Sequence, residues 1–128
     1  MDITPAVAPD RQVIDAYGPG GFRVSGVTYA GAVIVFPDMT VTWAVSLPVE
    51  ISAESLSAVT QRAGTEQAIE ILLLGCGRRM TPVSPALRGE LRRAGVVVDA
   101  MDTGAACRTY DVLLTEGRRV AAALLPPR

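Results

Sequence analysis

Two stretches hold residues whose types and spacing could do chemistry. The first is Gly75-Cys76-Gly77-Arg78-Arg79, which follows an apolar run, Ile69 to Leu74 broken only by Glu70, that reads as a buried strand. The second gathers Asp102, Thr103, Gly104, Cys107 and Arg108 behind another apolar run, Val96 to Ala100. If the two runs are parallel strands of an open α/β sheet, the turns after them share its carboxyl edge, where ligands collect at a switch in strand order. Arg78, Arg79 and Arg108 beside a helix N-terminus could hold a carboxylate or phosphate, because free N–H groups and the helix dipole favour an anion. The competing reading keeps Arg108 in an internal ion pair with Asp102 or Asp111 and leaves the other two solvated.

Other chemistries fare less well. The Gly-Cys-Gly turn is not a dinucleotide fingerprint, since the sixth position is Met80 and Pro82 intervenes before any helix; a tight turn leaving a strand accounts for it. Cys107 is expected in the first turn of a helix, where the dipole lowers a thiol pKa, and Cys76 could lie near it as a redox partner. A small buried thiol is the better-supported expectation. Asp102 and Glu116 would stand at opposite ends of one helix, roughly 21 Å apart at 1.5 Å per residue, and cannot form a catalytic pair. Asp102 is more simply a helix cap, and Trp43 a core or sheet-face residue. The chain has no His, which removes the commonest general base and His-containing zinc sites. No cofactor or metal is expected.

The elements that would position these residues divide the chain. Residues 1–12 read as a flexible arm with two prolines, and 13–128 as a single domain. Val13 to Tyr17 is a short strand ended by the GPGG loop at 18–21. Phe22 to Val27 and Tyr29 to Phe36 follow as strands with bends at Gly26 and Gly31, and Met39 to Val45 alternates after a Pro37-Asp38 turn. This half reads as an antiparallel β-meander. Ser52 is expected to cap a helix with Leu56, Val59 and Ala63 inward and Gly64 at its end. Ser84-Pro85 starts a second helix, closed by Gly95. Asp102 or Thr103 caps a third, with Ala106, Tyr110, Leu113 and Leu114 inward and Gly117 ending it. Arg119 to Leu125 makes a last strand, in a direction the short link before it leaves open. A meander followed by βαβαβ predicts a layered α/β domain with a mixed sheet.

Composition bounds the function. Hydrophobic residues are 49% of 128 and charged residues 20%, enough for a core. Net charge is −1, and the twelve basic residues, all Arg, are scattered in ones and twos, so nucleic-acid binding is not expected. The N-terminus lacks the pattern of a signal or transit peptide, and no apolar run reaches the length of a membrane span. The expectation is a cytoplasmic protein.

MDTGAACRTYDVLLTEGRRVAAALL at 101–125, FRVSG at 22–26, the lone Trp43 after Pro37-Asp38, and ILLLGCG at 71–77 together resemble a family of small proteins of unknown function. Its eukaryotic branch includes mitochondrial complex I (NADH:ubiquinone oxidoreductase) assembly factor 3. The resemblance implies a three-layer fold around a central mixed sheet and a role in complex I biogenesis. It implies no enzymatic activity. It marks Asp102, Thr103, Cys107, Arg108, Thr109 and Tyr110 as positions of interest. Asp111 departs from the Asn it anticipates, and Cys76 from a small residue or Thr. The expected function is a non-enzymatic assembly or interaction factor, with respiratory NADH dehydrogenase subunits or other assembly proteins as partners, peripheral to the inner face of the membrane and open to homodimerisation. The alternative is a ligand-binding or enzymatic domain that takes a small anion or nucleotide-like ligand in the carboxyl-edge crevice around Arg78, Arg79, Cys107 and Arg108.

Overall fold

The computed structural model describes residues 11–127, and most of the expected arm lies outside them. Arg11 and Gln12, expected as part of that arm, are tied down. The Ser25 hydroxyl donates to the Arg11 carbonyl at 3.0 Å, and the Gln12 N–H donates to the Pro37 carbonyl at 3.0 Å.

The fold is a single α/β domain. Strands β1 (Ile14–Gly18), β2 (Gly21–Val24) and β3 (Val27–Ala30) form an antiparallel meander in a three-stranded sheet of their own. Strands β4 (Val33–Val35) and β5 (Thr40–Thr42) belong to a second, five-stranded sheet. The expected strand from Tyr29 to Phe36 is therefore two strands in two sheets. Gly31, at φ +76, turns the chain out of the first sheet after its N–H closes the hairpin on the Gly20 carbonyl at 3.0 Å.

The expected helix at 52–64 is also corrected. Only Ser57–Thr60 makes an α turn (α1), flanked by a 3₁₀ turn at Glu54–Leu56. On its far side Arg62, Ala63 and Thr65 bond three residues back rather than four. The Thr60 and Thr65 hydroxyls also donate to the Ser57 and Arg62 carbonyls, at 3.3 and 2.7 Å, alongside the backbone N–H groups of Gln61 and Thr65.

The second half follows the expected order: β6 (Ile71–Cys76), α2 (Pro85–Arg93), β7 (Val97–Met101), α3 (Thr103–Thr115) and β8 (Val120–Leu125). The Ser84 hydroxyl caps α2 by accepting from the Leu87 N–H at 3.1 Å, and Asp102 caps α3 by accepting from Ala105 N–H at 2.9 Å. The five-stranded order is β5-β4-β8-β6-β7. β8 is parallel to β6 and antiparallel to β4, so the sheet is mixed.

Central strands bury both faces, as their unbroken apolar runs require. Ala121, Ala123 and Leu125 of β8 join Leu72, Leu74 and Cys76 of β6 in one core layer, under Leu91 of α2 and with Trp43, Leu56 and Val59. Val120, Ala122 and Leu124 point the other way with Leu73, against Ala106, Cys107, Tyr110 and Leu114 of α3 and Phe22 and Val24 of the small sheet. Helix and turns, central sheet, then α3 with the small sheet make three layers.

Candidate functional site

Strand order fixes where a crevice can open. From β6 the chain crosses to β7 on one side, then returns over β6 to β8 on the other. The switch in strand order lies between β6 and β8, beyond Cys76 and Leu125, which are register partners. The sequence puts the turns after β6 and β7 at one shared edge and leaves the direction of β8 open.

Thr103 fills the α3 side of this switch point. It is fully buried; its hydroxyl accepts from the Gly77 N–H at 2.8 Å and donates to the Leu125 carbonyl, while its own N–H donates to the Gly77 carbonyl at 2.8 Å. Gly75 and Cys76 are not turn residues but the end of β6; Gly77, at φ +91, makes the turn. Gly75 gives α3 its close approach, since a Cβ there would stand 3.1 Å from the Thr103 Cα and 2.8 Å from Leu124 Cδ2. The two turns singled out from sequence thus meet, and one threonine joins them.

The other side of the switch point is open. Cys76, Gly77 and Arg78 line a cavity of about 150 Å³ with Leu47, Pro48 and Pro126. Cys76 and Pro48 also border a larger one of about 280 Å³, closed by Leu74, Pro82, Val83 and Leu87. Leu47 and Pro48 carry no periodic or motif signal that would have linked them to β6; only the fold brings them there. Arg78 and Arg79 are exposed.

Arg108 is exposed and lies elsewhere, lining a separate cavity of about 320 Å³ with Ile14, Asp15, Tyr17, Cys107 and Asp111. Its expected ion pair does not form: among the described residues the ion pairs are Arg23–Asp15 at 4.0 Å and Arg62–Asp38 at 2.7 Å. The carboxylates are otherwise engaged, Asp102 on the Ala105 N–H and Asp111 on the Ile14 N–H at 2.9 Å. Tyr17 lies over Gly104, whose added Cβ would meet the tyrosine hydroxyl at 2.6 Å and Arg108 Nη1 at 3.3 Å.

The two cysteines are both free and buried in opposite core layers, Cys76 under α2 and Cys107 under α3, so they form no redox pair. Cys107 is the fifth residue of α3 rather than part of its first turn. Burial, reinforced by the Asp111 carboxylate, pushes its thiol up to about 12. Tyr110 is fully buried and donates its hydroxyl to the Gln12 carbonyl at 2.9 Å, with its pKa raised by burial. Thr109 is half-buried beside it. Trp43 is a core residue whose indole N–H donates to the Ser55 carbonyl at 2.7 Å.

Residues 14–125 match the family described as Protein of unknown function (DUF498/DUF598). The chain belongs to this family. It is 37% identical over 113 residues to an uncharacterized protein of Rhodobacter capsulatus, covering 88% of this chain and 83% of that one. It is 39% identical over 115 residues to NADH dehydrogenase (ubiquinone) 1 alpha subcomplex assembly factor 3 of Danio rerio, covering 90% of this chain and 64% of that protein. This family member thus spans just under two thirds of that assembly factor. A crystal structure of a Bordetella parapertussis protein superposes with a TM-score of 0.80 at 39% identity, over 91% of this chain and 96% of that one.

Proposed function

We propose that this family member is a non-enzymatic assembly or interaction factor serving a respiratory NADH dehydrogenase. Its kinship with assembly factor 3 across 90% of the chain carries this reading. The geometry supports it. Thr103, Tyr110 and Asp102, the polar groups best placed for chemistry, hold elements together with their hydrogen bonds. The surface beside them is suited to contact: Arg108 and Val112 stand four residues apart on α3, both exposed, with Tyr17 close to Gly104. A charged guanidinium beside an apolar and an aromatic side chain is a composition common in protein interfaces. No helix among the described residues is long and apolar enough to cross a membrane. The proposed place of action is the cytoplasmic side, peripheral to the membrane where the dehydrogenase is built.

The test is the amount of fully assembled NADH dehydrogenase in cells lacking this protein, resolved on native gels. The expected result is a fall in the assembled complex with its subunits still synthesised. Normal levels would contradict the proposal.

A further inference from the structure

At the end of the sheet away from Gly77 and Pro126, four of the chain's twelve basic residues line one cavity of about 260 Å³. They are Arg11, Arg62, Arg118 and Arg119, and the acidic residues among them are Asp38 and Glu66. Ala68 and Ile69, leading into β6, and Gly117 to Arg119, leading into β8, build its wall. Sequence reading took these arginines as scattered, and folding gathers them.

The four guanidinium groups do different work. Arg62 lies over the Phe36 ring, 3.7 Å from its centroid, and bonds Asp38 at 2.7 Å with only 13% of its side chain exposed. It is a fixed wall. Arg11, Arg118 and Arg119 make no ion pair among the described residues. Their backbones are nevertheless held. The Arg119 carbonyl accepts from Glu70 and Ile71 at 2.9 and 3.2 Å, the Arg118 N–H donates to Leu113 at 3.0 Å, and Arg11 accepts from Ser25 at 3.0 Å. Against four guanidinium groups the two carboxylates leave two positive charges uncompensated. Like charges gathered at one cavity repel, and a bound dianion removes that cost.

We propose that this cavity binds a phosphate group, carried by a small soluble phosphate or phosphomonoester or by a lipid headgroup. A carboxylate carries one charge and would leave one of the two positive charges uncompensated. A phosphate presents oxygens in several directions and carries up to two charges, which suits guanidinium groups supplied by two segments, Arg11 from one and the adjacent Arg118 and Arg119 from the other. The site is independent of the assembly role and lies at the other end of the sheet from the switch point.

The test measures binding of inorganic phosphate to the full chain by calorimetry at constant ionic strength. In parallel, the chain is floated with phosphatidylcholine vesicles with and without phosphatidic acid. The paired variant Arg118→Ala/Arg119→Ala should weaken binding about tenfold or more, with Arg11→Ala giving a smaller loss from a different segment. Arg78→Ala/Arg79→Ala, the same change in charge at the opposite edge, should bind as the unaltered chain does. Capture by phosphatidic acid vesicles without binding of free phosphate would identify the lipid as the source. Absence of both kinds of binding would overturn the proposal, as would equal losses in the two paired variants or undiminished binding in Arg118→Ala/Arg119→Ala.

Discussion

Asp111 joins the N-terminal strand to α3 through one oxygen, which accepts the Ile14 N–H at 2.9 Å. Burial pushes its carboxyl up to about 6, with Asp15 adding to the rise and the Ile14 N–H opposing it. A carboxyl whose folded pKa is raised binds its proton more readily in the folded state. Its ionisation therefore costs stability above about pH 6, and that loss is recovered as pH falls through 6 toward the ordinary value of 3.8. Asp111→Asn keeps the acceptor for Ile14 and removes the charge, which also raises the neighbouring Cys107 thiol pKa. The variant should melt about 3 °C or more above the unaltered chain at pH 8 and match it below pH 4, in thermal melts across that range. Equal melting at pH 8 would count against a half-buried charge there. The departure at Asp111 was visible in the sequence, and so was the capping role of Asp102. The engagement of Asp111 was not, because its partner is 97 residues away.

At the scale of elements, Thr103 ties the end of β6 and the end of β8 to the first turn of α3. Thr103→Val keeps the shape but leaves the Gly77 N–H and the Leu125 carbonyl without their partner. The expected loss is about 2–4 kcal/mol in denaturant unfolding, while Thr103→Ser, which keeps the hydroxyl, should lose less than half of that. A loss in Thr103→Val no larger than in Thr103→Ser would refute the clamp. Elements with chemical punctuation were legible from sequence. Ser84, Pro85 and Gly95 frame α2 almost to the residue, and Gly117 closes α3 at φ +78. The 52–64 segment was not legible. Its apolar spacing fits a helix, but after Gln61 its N–H groups bond three residues back instead of four, and no spacing rule distinguishes the two. Gly75 was misread for a related reason. A glycine in a strand can mark a turn or a close approach, and only the position of α3 distinguishes them.

For the whole molecule, the apolar run of β6 predicted a buried strand, and the strand-helix-strand order of β6, α2 and β7 fitted parallel strands. The division of the N-terminal half between two sheets was hidden, since Gly31 reads equally as a bend within a strand. The position of the switch point is not legible in the sequence, because a short link leaves the direction and place of β8 open. This bears on function. The arginines flanking the predicted crevice line separate places, Arg78 near Leu125 and Arg108 near Tyr17. The proposed partner contact is therefore the surface around Arg108 rather than a shared crevice. The most direct test is a tagged pull-down of the full chain from its native cells, membrane and soluble fractions separately, with Arg108→Ala alongside. The expected result is recovery of NADH dehydrogenase subunits from the membrane fraction, reduced several-fold in Arg108→Ala with the variant's melting temperature unchanged. A protein that elutes without those subunits from both fractions would contradict the assembly role, and recovery undiminished in Arg108→Ala would contradict the contact surface.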